Sequence, residues 1–235
     1  RTMKLRFSLL PLFVLLPLWF TLQMSFSTSV ETLASSEADA PFSVVEECSF
    51  DDEIAVVDDY MSLVSFGDPY LGDFDADITV IEFFDVNCPH CRTFHPMMKQ
   101  VVDDSGAHAR FFMIPFVLWQ YSLLQTEALF VAAQDGLYFE MLQAQYDNQK
   151  QGGMNMDELM VLAGDIGLNK QTFRQRLERG LNQRMILERR QQISDLGVRG
   201  TPSVMINGRF ISSDSKSTLC MNELIAQVAT EASEG

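Results

Sequence analysis

Two cysteines three positions apart, Cys88-Pro89-His90-Cys91, follow closely on the apolar run Ile78 to Phe84 and open a stretch with helical spacing. A strand that ends at such a motif places the first sulfur over the N-terminus of the helix. Unpaired N–H groups and the helix macrodipole there favour a thiolate. The second sulfur lies within bridging reach. Pro89 suits the first helical turn, where a missing N–H costs nothing, and His90 adds a donor or a positive charge beside Cys88. The combination predicts a reactive Cys88 of low pKa and thiol-disulfide chemistry.

Other readings of the motif compete with this one. C-x-x-C is half of many zinc sites, but the second ligand pair would have to come from His95 and His108. Haem attachment requires His directly after the second cysteine, and position 92 is Arg. A purely structural disulfide over four residues is strained and labile rather than stabilising. We read the pair as redox-active. Its disulfide is then its own reagent, with no metal and no other cofactor in the reading.

The elements that must hold this pair are also legible. Thr79 to Phe84 is continuously apolar and β-branched except for Glu82, as expected of a strand buried on both faces. Glu82 should lie inside the sheet beneath Cys88, where a carboxylate is costly unless it has partners or work; we read it as a proton acceptor for Cys91. A helix is predicted from Pro89 toward Asp104, kinked at Pro96, and a second strand over Arg110 to Leu118. From Ser122 to Gln192 the strand signal disappears. Helices are predicted there, including a long one over Lys170 to Ser194, as an all-helical lobe inserted into a β-containing domain. Asn207-Gly208 then marks a hairpin joining Ser203–Ile206 to Arg209–Ser212. Thr201-Pro202, just before it, is a natural place for a cis peptide bond.

The 235 residues suffice for one sizeable core with an inserted lobe, and with 21% charged residues the chain is globular. Residues 1–27 read as an export signal or membrane anchor, with Lys4 and Arg6 ahead of the apolar run Leu9 to Phe20. Removing Arg1, Lys4 and Arg6 from 17 basic residues leaves 14 against 32 acidic, a net −18 instead of −15. No basic patch for nucleic acid is available in such a chain. Residues 28–67 read as a linker followed by an amphipathic helix over Phe50 to Phe66, and Gly67 to Asp77 as a loop.

With Glu82-Phe83-Phe84 leading to Cys88-Pro89-His90-Cys91, a helical insertion, and Gly200-Thr201-Pro202 opening a hairpin, the chain resembles the DsbA-like thiol-disulfide oxidoreductases of the thioredoxin superfamily. The resemblance covers roughly Asp68 to the C-terminus. It implies an α/β thioredoxin fold split into 68–118 and 195–235 around an inserted helical domain, 119–194. It implies Cys88 as exposed nucleophile, Cys91 as resolving thiol, Glu82 as buried carboxylate, and a cis Pro202 that with Thr201 faces the redox pair and holds extended substrate backbone. Pro89-His90 looks like the dipeptide of the strongly oxidising members. An oxidase of exported cysteine-containing clients, reoxidised by a membrane redox partner in a periplasmic or other extracytoplasmic space, is the main expectation. An isomerase or reductase on the same fold, favoured if the Phe50 to Phe66 helix drives dimerisation, is the alternative. A metal- or peptide-binding module using Cys88, Cys91 and His95 is a third. Cys48 and Cys220, in an exported protein, are expected to form a structural disulfide tying the N-terminal extension to the last helix, against free or intermolecular thiols.

Overall fold

The computed structural model describes residues 47–234. Five strands, β1 (Tyr70–Gly72), β2 (Ile78–Phe84), β3 (Ala109–Pro115), β4 (Ser203–Ile206) and β5 (Arg209–Phe210), form one sheet in the order β1-β3-β2-β4-β5. Only β2 and β3 run parallel, with Glu82 opposite Met113 and Phe84 opposite Pro115. A parallel pair needs a crossover, and α1 (Pro89–Ser105) supplies it. The chain then leaves the sheet for α2 (Ser122–Ala133), α3 (Tyr138–Asp147), α4 (Met156–Asp165), α5 (Lys170–Arg179) and α6 (Gln183–Asp195). It returns through β4 and β5 and ends in α7 (Thr218–Glu234).

β2 is buried along its whole length, and its alternate residues serve two cores. Ile78, Val80 and Phe84 pack with α1, α7 and the inserted helices, whereas Ile81 and Phe83 pack on the other face with Phe112, Met205 and Phe210. The two-residue period puts the Glu82 side chain on the first of these faces, the one that α1 covers.

Three expectations are corrected. Residues 50–66 do not form a helix: Phe50 bridges Ile211, Asp51 N–H donates to Phe210 at 2.7 Å, and Val57 N–H donates to Gly208 at 2.9 Å. Ile54, Val57, Tyr60 and Val64 still turn inward onto the second core, so their spacing reports burial of a strap along β5, with a single 3-10 turn at Tyr60–Leu63. Gly67 to Asp77 is not wholly a loop, because β1 pairs with β3. The expected long helix over 170–194 is two helices: Gly180 ends α5 at φ 57°, a left-handed conformation that glycine adopts without a Cβ clash. The hairpin turn at Asn207 (φ 43°) and Gly208 (φ 86°) has the pair of positive φ values its sequence demands.

The signal or anchor over residues 1–27, and the linker as far as residue 46, lie outside the described residues. Among the described residues no helix is long and apolar enough to cross a membrane.

Candidate active site

Cys88 is the N-cap of α1, with Pro89 in the first turn. Its own N–H is held by the Asp85 carbonyl at 3.0 Å, and its carbonyl accepts from Arg92 N–H at 3.1 Å. Both cysteines are free thiols and both are buried, Cys91 fully and Cys88 with 4% of its surface exposed, so Cys88 is not the exposed nucleophile that the resemblance implied: the loop carrying Thr201 packs against it. The Cys88 thiol donates to the Thr201 carbonyl at 3.3 Å, which brings the loop before β4 against the redox motif across 113 positions of sequence. The Thr201–Pro202 peptide bond is cis.

The environment splits the two thiols apart. A hydrogen bond from Cys91 lowers Cys88 most; the Thr201 hydroxyl and the backbone amides of Cys91 and His90 add to it against the opposing effect of burial, and the thiol falls to about 5. Among the described residues the Thr201 hydroxyl has no other partner, so once Cys88 has lost its proton that hydroxyl can serve the thiolate. Cys91 moves the other way. Burial comes first, followed by its hydrogen bond to Cys88 and the charge of Glu82, and the thiol is raised far above its ordinary value. Cys88 is therefore a thiolate at neutral pH and Cys91 a protonated thiol.

Glu82 is 2% exposed, and its Oε2 has no hydrogen-bond partner among the described residues. Burial, and secondarily the charge of Cys88, raise its carboxyl to about 8. At neutral pH it holds a proton beneath the pair, so burial makes it a proton source there rather than the acceptor expected from the sequence. Pro89 and the His90 side chain are exposed; the His90 backbone amide is the part that acts on Cys88.

Four neighbours were not marked by any motif. Asp85 accepts from Asn87 N–H and Leu118 N–H at 2.7 Å and from the Ser122 hydroxyl at 2.8 Å, clamping the turn between β2 and α1 to the start of α2. Burial still raises its carboxyl above the ordinary value. Gln149, just past α3, donates through Nε2 to the carbonyls of Val86 and Cys88 at 2.9 and 3.1 Å. Tyr146 is buried with its ring 6.4 Å from Phe84 and 5.1 Å from His95. Lys216 Nζ donates to the Pro202 carbonyl at 2.8 Å; burial lowers its pKa and the charge of Cys91 opposes that. That attraction exists only while Cys91 is ionised. Asp85 is local to the motif but its partners Leu118 and Ser122 are not, and Tyr146, Gln149 and Lys216 reach the site from distant segments, so only the tertiary structure reveals these roles.

His95 does not join the cysteines as a ligand, and His108 follows the far end of α1. Among the described residues no group of three or more His, Cys, Asp or Glu is placed to hold a metal. A cavity of about 540 Å³ between α1 and α3 contains neither cysteine, so sulfur geometry rather than cavity size locates the chemistry. Cys48 and Cys220 stand apart from the site as a disulfide, with Cα atoms 5.0 Å apart and a sequence separation of 172.

This arrangement can form and break disulfides: a low-pKa sulfur at the helix N-cap, a buried partner thiol, and a proton held nearby. The profile of the family described as thioredoxin matches residues 65–225. A probable disulfide bond formation protein D of Bacillus anthracis is 30% identical over 158 residues, 61% of this chain and 71% of that protein. The thiol-disulfide exchange protein alpha-DsbA2 of Wolbachia pipientis shares the fold at a TM-score of 0.63 and 19% identity, over 72% of this chain and 90% of that one. BdbD of Bacillus subtilis, in its oxidised form, does so at 0.61 and 20%, over 68% and 92%. The chain belongs to the thioredoxin family and is a DsbA-like thiol-disulfide oxidoreductase.

Proposed function

We propose that the protein donates the Cys88–Cys91 disulfide to exported client proteins outside the cytoplasm. A client thiolate attacks the Cys88 sulfur of the oxidised pair, the S–S bond breaks, and Cys91 leaves with the electron pair. Glu82 supplies its proton to that buried thiolate, since Cys91 binds a proton far more tightly than the carboxyl does. A second client thiolate then attacks the client sulfur of the mixed disulfide, and Cys88 leaves as a thiolate. The client is oxidised by two electrons and the pair reduced by two. A membrane redox partner takes those electrons and restores the disulfide.

The observation that carries this direction is the Cys88 sulfur at the N-terminus of α1, lowered to about 5. A stabilised thiolate is a good leaving group and favours the reduced enzyme, which makes the disulfide a strong oxidant. Thr201 and Pro202 offer backbone facing the pair for an extended client segment. The isomerase or reductase alternative leaned on a dimerising helix over 50–66, and that segment is a strap on β5 instead. The test is oxidative refolding of a reduced, disulfide-containing protein by the oxidised full chain. Catalysed return of client activity is expected, and refolding no faster than with air alone would overturn the reading.

A further inference from the structure

Beside the redox motif a groove of about 460 Å³ opens between α1 and the end of α3, lined by Asn87, Pro89, Arg92, Trp119, Tyr121 and Gln149. Trp119 and Tyr121 stand exposed (36% and 41%) and stack in parallel, with centroids 5.7 Å apart and 4° between planes. Large exposed aromatics next to a reactive centre are the residue types that carry binding energy at interfaces. Asn87 is only 7% exposed, yet its Oδ1 accepts no hydrogen bond among the described residues. Its orientation is determinate: the Ser122 hydroxyl proton goes to Asp85, so Ser122 must accept from Asn87 Nδ2, leaving Oδ1 as the unused atom.

In a chain of net charge −15, this groove carries Arg92, exposed and without an ion pair among the described residues, close to the positive end of α1. Lys150 at the rim is already paired with Glu158. Gln149 ties the wall to the carbonyls of Val86 and Cys88, so the groove and the sulfur are held in one frame.

We propose that this groove binds the client segment flanking the reactive cysteine and selects for an acidic residue there, which pairs with Arg92 while an apolar or planar side chain lies on Trp119 and Tyr121. Arg92 lies about one helical turn, roughly 5 Å, beyond Cys88, so the selected residue is about two or three positions from the client cysteine. This rests on the disulfide-donor reading and adds a substrate preference to it.

The experiment uses two dithiol peptides that differ only in carrying Asp or Lys two residues from the attacking cysteine, with kcat/KM for oxidation by the oxidised full chain measured for each. The ratio within one variant is unaffected by changes in fold or sulfur reactivity that act on both peptides alike. A ratio of about tenfold favouring Asp is expected, shrinking at 0.5 M salt. In Arg92→Gln the ratio should fall close to one, and in Arg92→Glu below one. An equal rate for both peptides in the wild type, or an Asp preference retained in Arg92→Glu, overturns the groove assignment. Failure to oxidise either peptide overturns the donor reading beneath it instead.

Discussion

The molecule holds two cysteine pairs, and they differ in almost every property that spacing and surroundings can set. Cys88 and Cys91 are separated by two residues at a helix N-terminus; they are free thiols, one lowered to about 5 and the other raised. Cys48 and Cys220 are separated by 172 positions and bonded, joining the strap that runs along β5 to the buried face of α7. The first pair gains nothing from closing its short loop, and its environment stabilises the open form. The second closes most of the described chain into a loop and restricts the unfolded state. Sulfur chemistry is the same in both; helix N-terminus, burial and loop length decide which pair reacts.

The sharpest way to break that comparison is to exchange the roles by mutation. Cys88→Ser should abolish disulfide transfer, a loss of at least about a thousandfold or roughly 4 kcal/mol of barrier, because no other low-pKa sulfur is present among the described residues. Stopped-flow oxidation of a dithiol peptide reads it. The Cys48→Ala/Cys220→Ala double variant should leave that rate in place while losing about 2–5 kcal/mol of stability, seen as a lower urea midpoint. Unchanged stability in the double variant would show that the strap and α7 are held by their packing and backbone bonds alone.

Glu82 tests the difference between the two active-site thiols. Glu82→Gln removes the proton source and should slow the step in which Cys91 leaves by about tenfold near pH 7. The same substitution has a stability signature of known sign. The folded carboxyl sits at about 8 against an ordinary 4.5, so the wild type is unaffected below about 4.5 and loses stability as pH rises from there through 8. The glutamine variant should therefore gain on the wild type across that window. Parallel pH–stability curves would remove Glu82 from its buried, protonated role.

For Cys88 the sign is opposite. Its folded value is lowered from 9.0 to about 5, so the thiolate stabilises the reduced protein fully above pH 9 and that contribution disappears as pH falls through 5. The oxidised protein has no such thiol. The stability gap between reduced and oxidised forms should shift toward the reduced form between pH 5 and 9, read from paired urea titrations. The smallest effect concerns Lys216: Lys216→Met should slow Cys91 departure by only a few-fold, with recovery in Lys216→Arg, because the ammonium's main bond is to the Pro202 carbonyl.

How much of this was readable in the sequence follows from how local each signal is. The strand before Cys88, the cap at Cys88, the Asn207–Gly208 turn and the buried Glu82 all depend on neighbours within a few positions, and each is where its residues place it. The segment 50–66 misled because inward residues recur at helical spacing along a strap whose N–H groups find acceptors on Phe210 and Gly208 rather than four residues back. β1 was invisible because three residues between glycine and acids carry no periodicity, and it exists only through its pairing with β3. Asp85, Tyr146, Gln149 and Lys216 carry no local motif at all. Tyr146, Gln149 and Lys216 become part of the site because the inserted helices and the segment after β5 fold back onto it, and Asp85 because Leu118 and Ser122 do.

The central claim is that the two active-site sulfurs are held in different protonation states so that the disulfide is driven to give itself away. The reduction potential of the Cys88–Cys91 pair, measured by equilibration with glutathione, tests this most directly. A value nearer about −120 mV, the range of strong disulfide donors, is predicted. A value at or below about −270 mV, where reducing members of the fold lie, would contradict it.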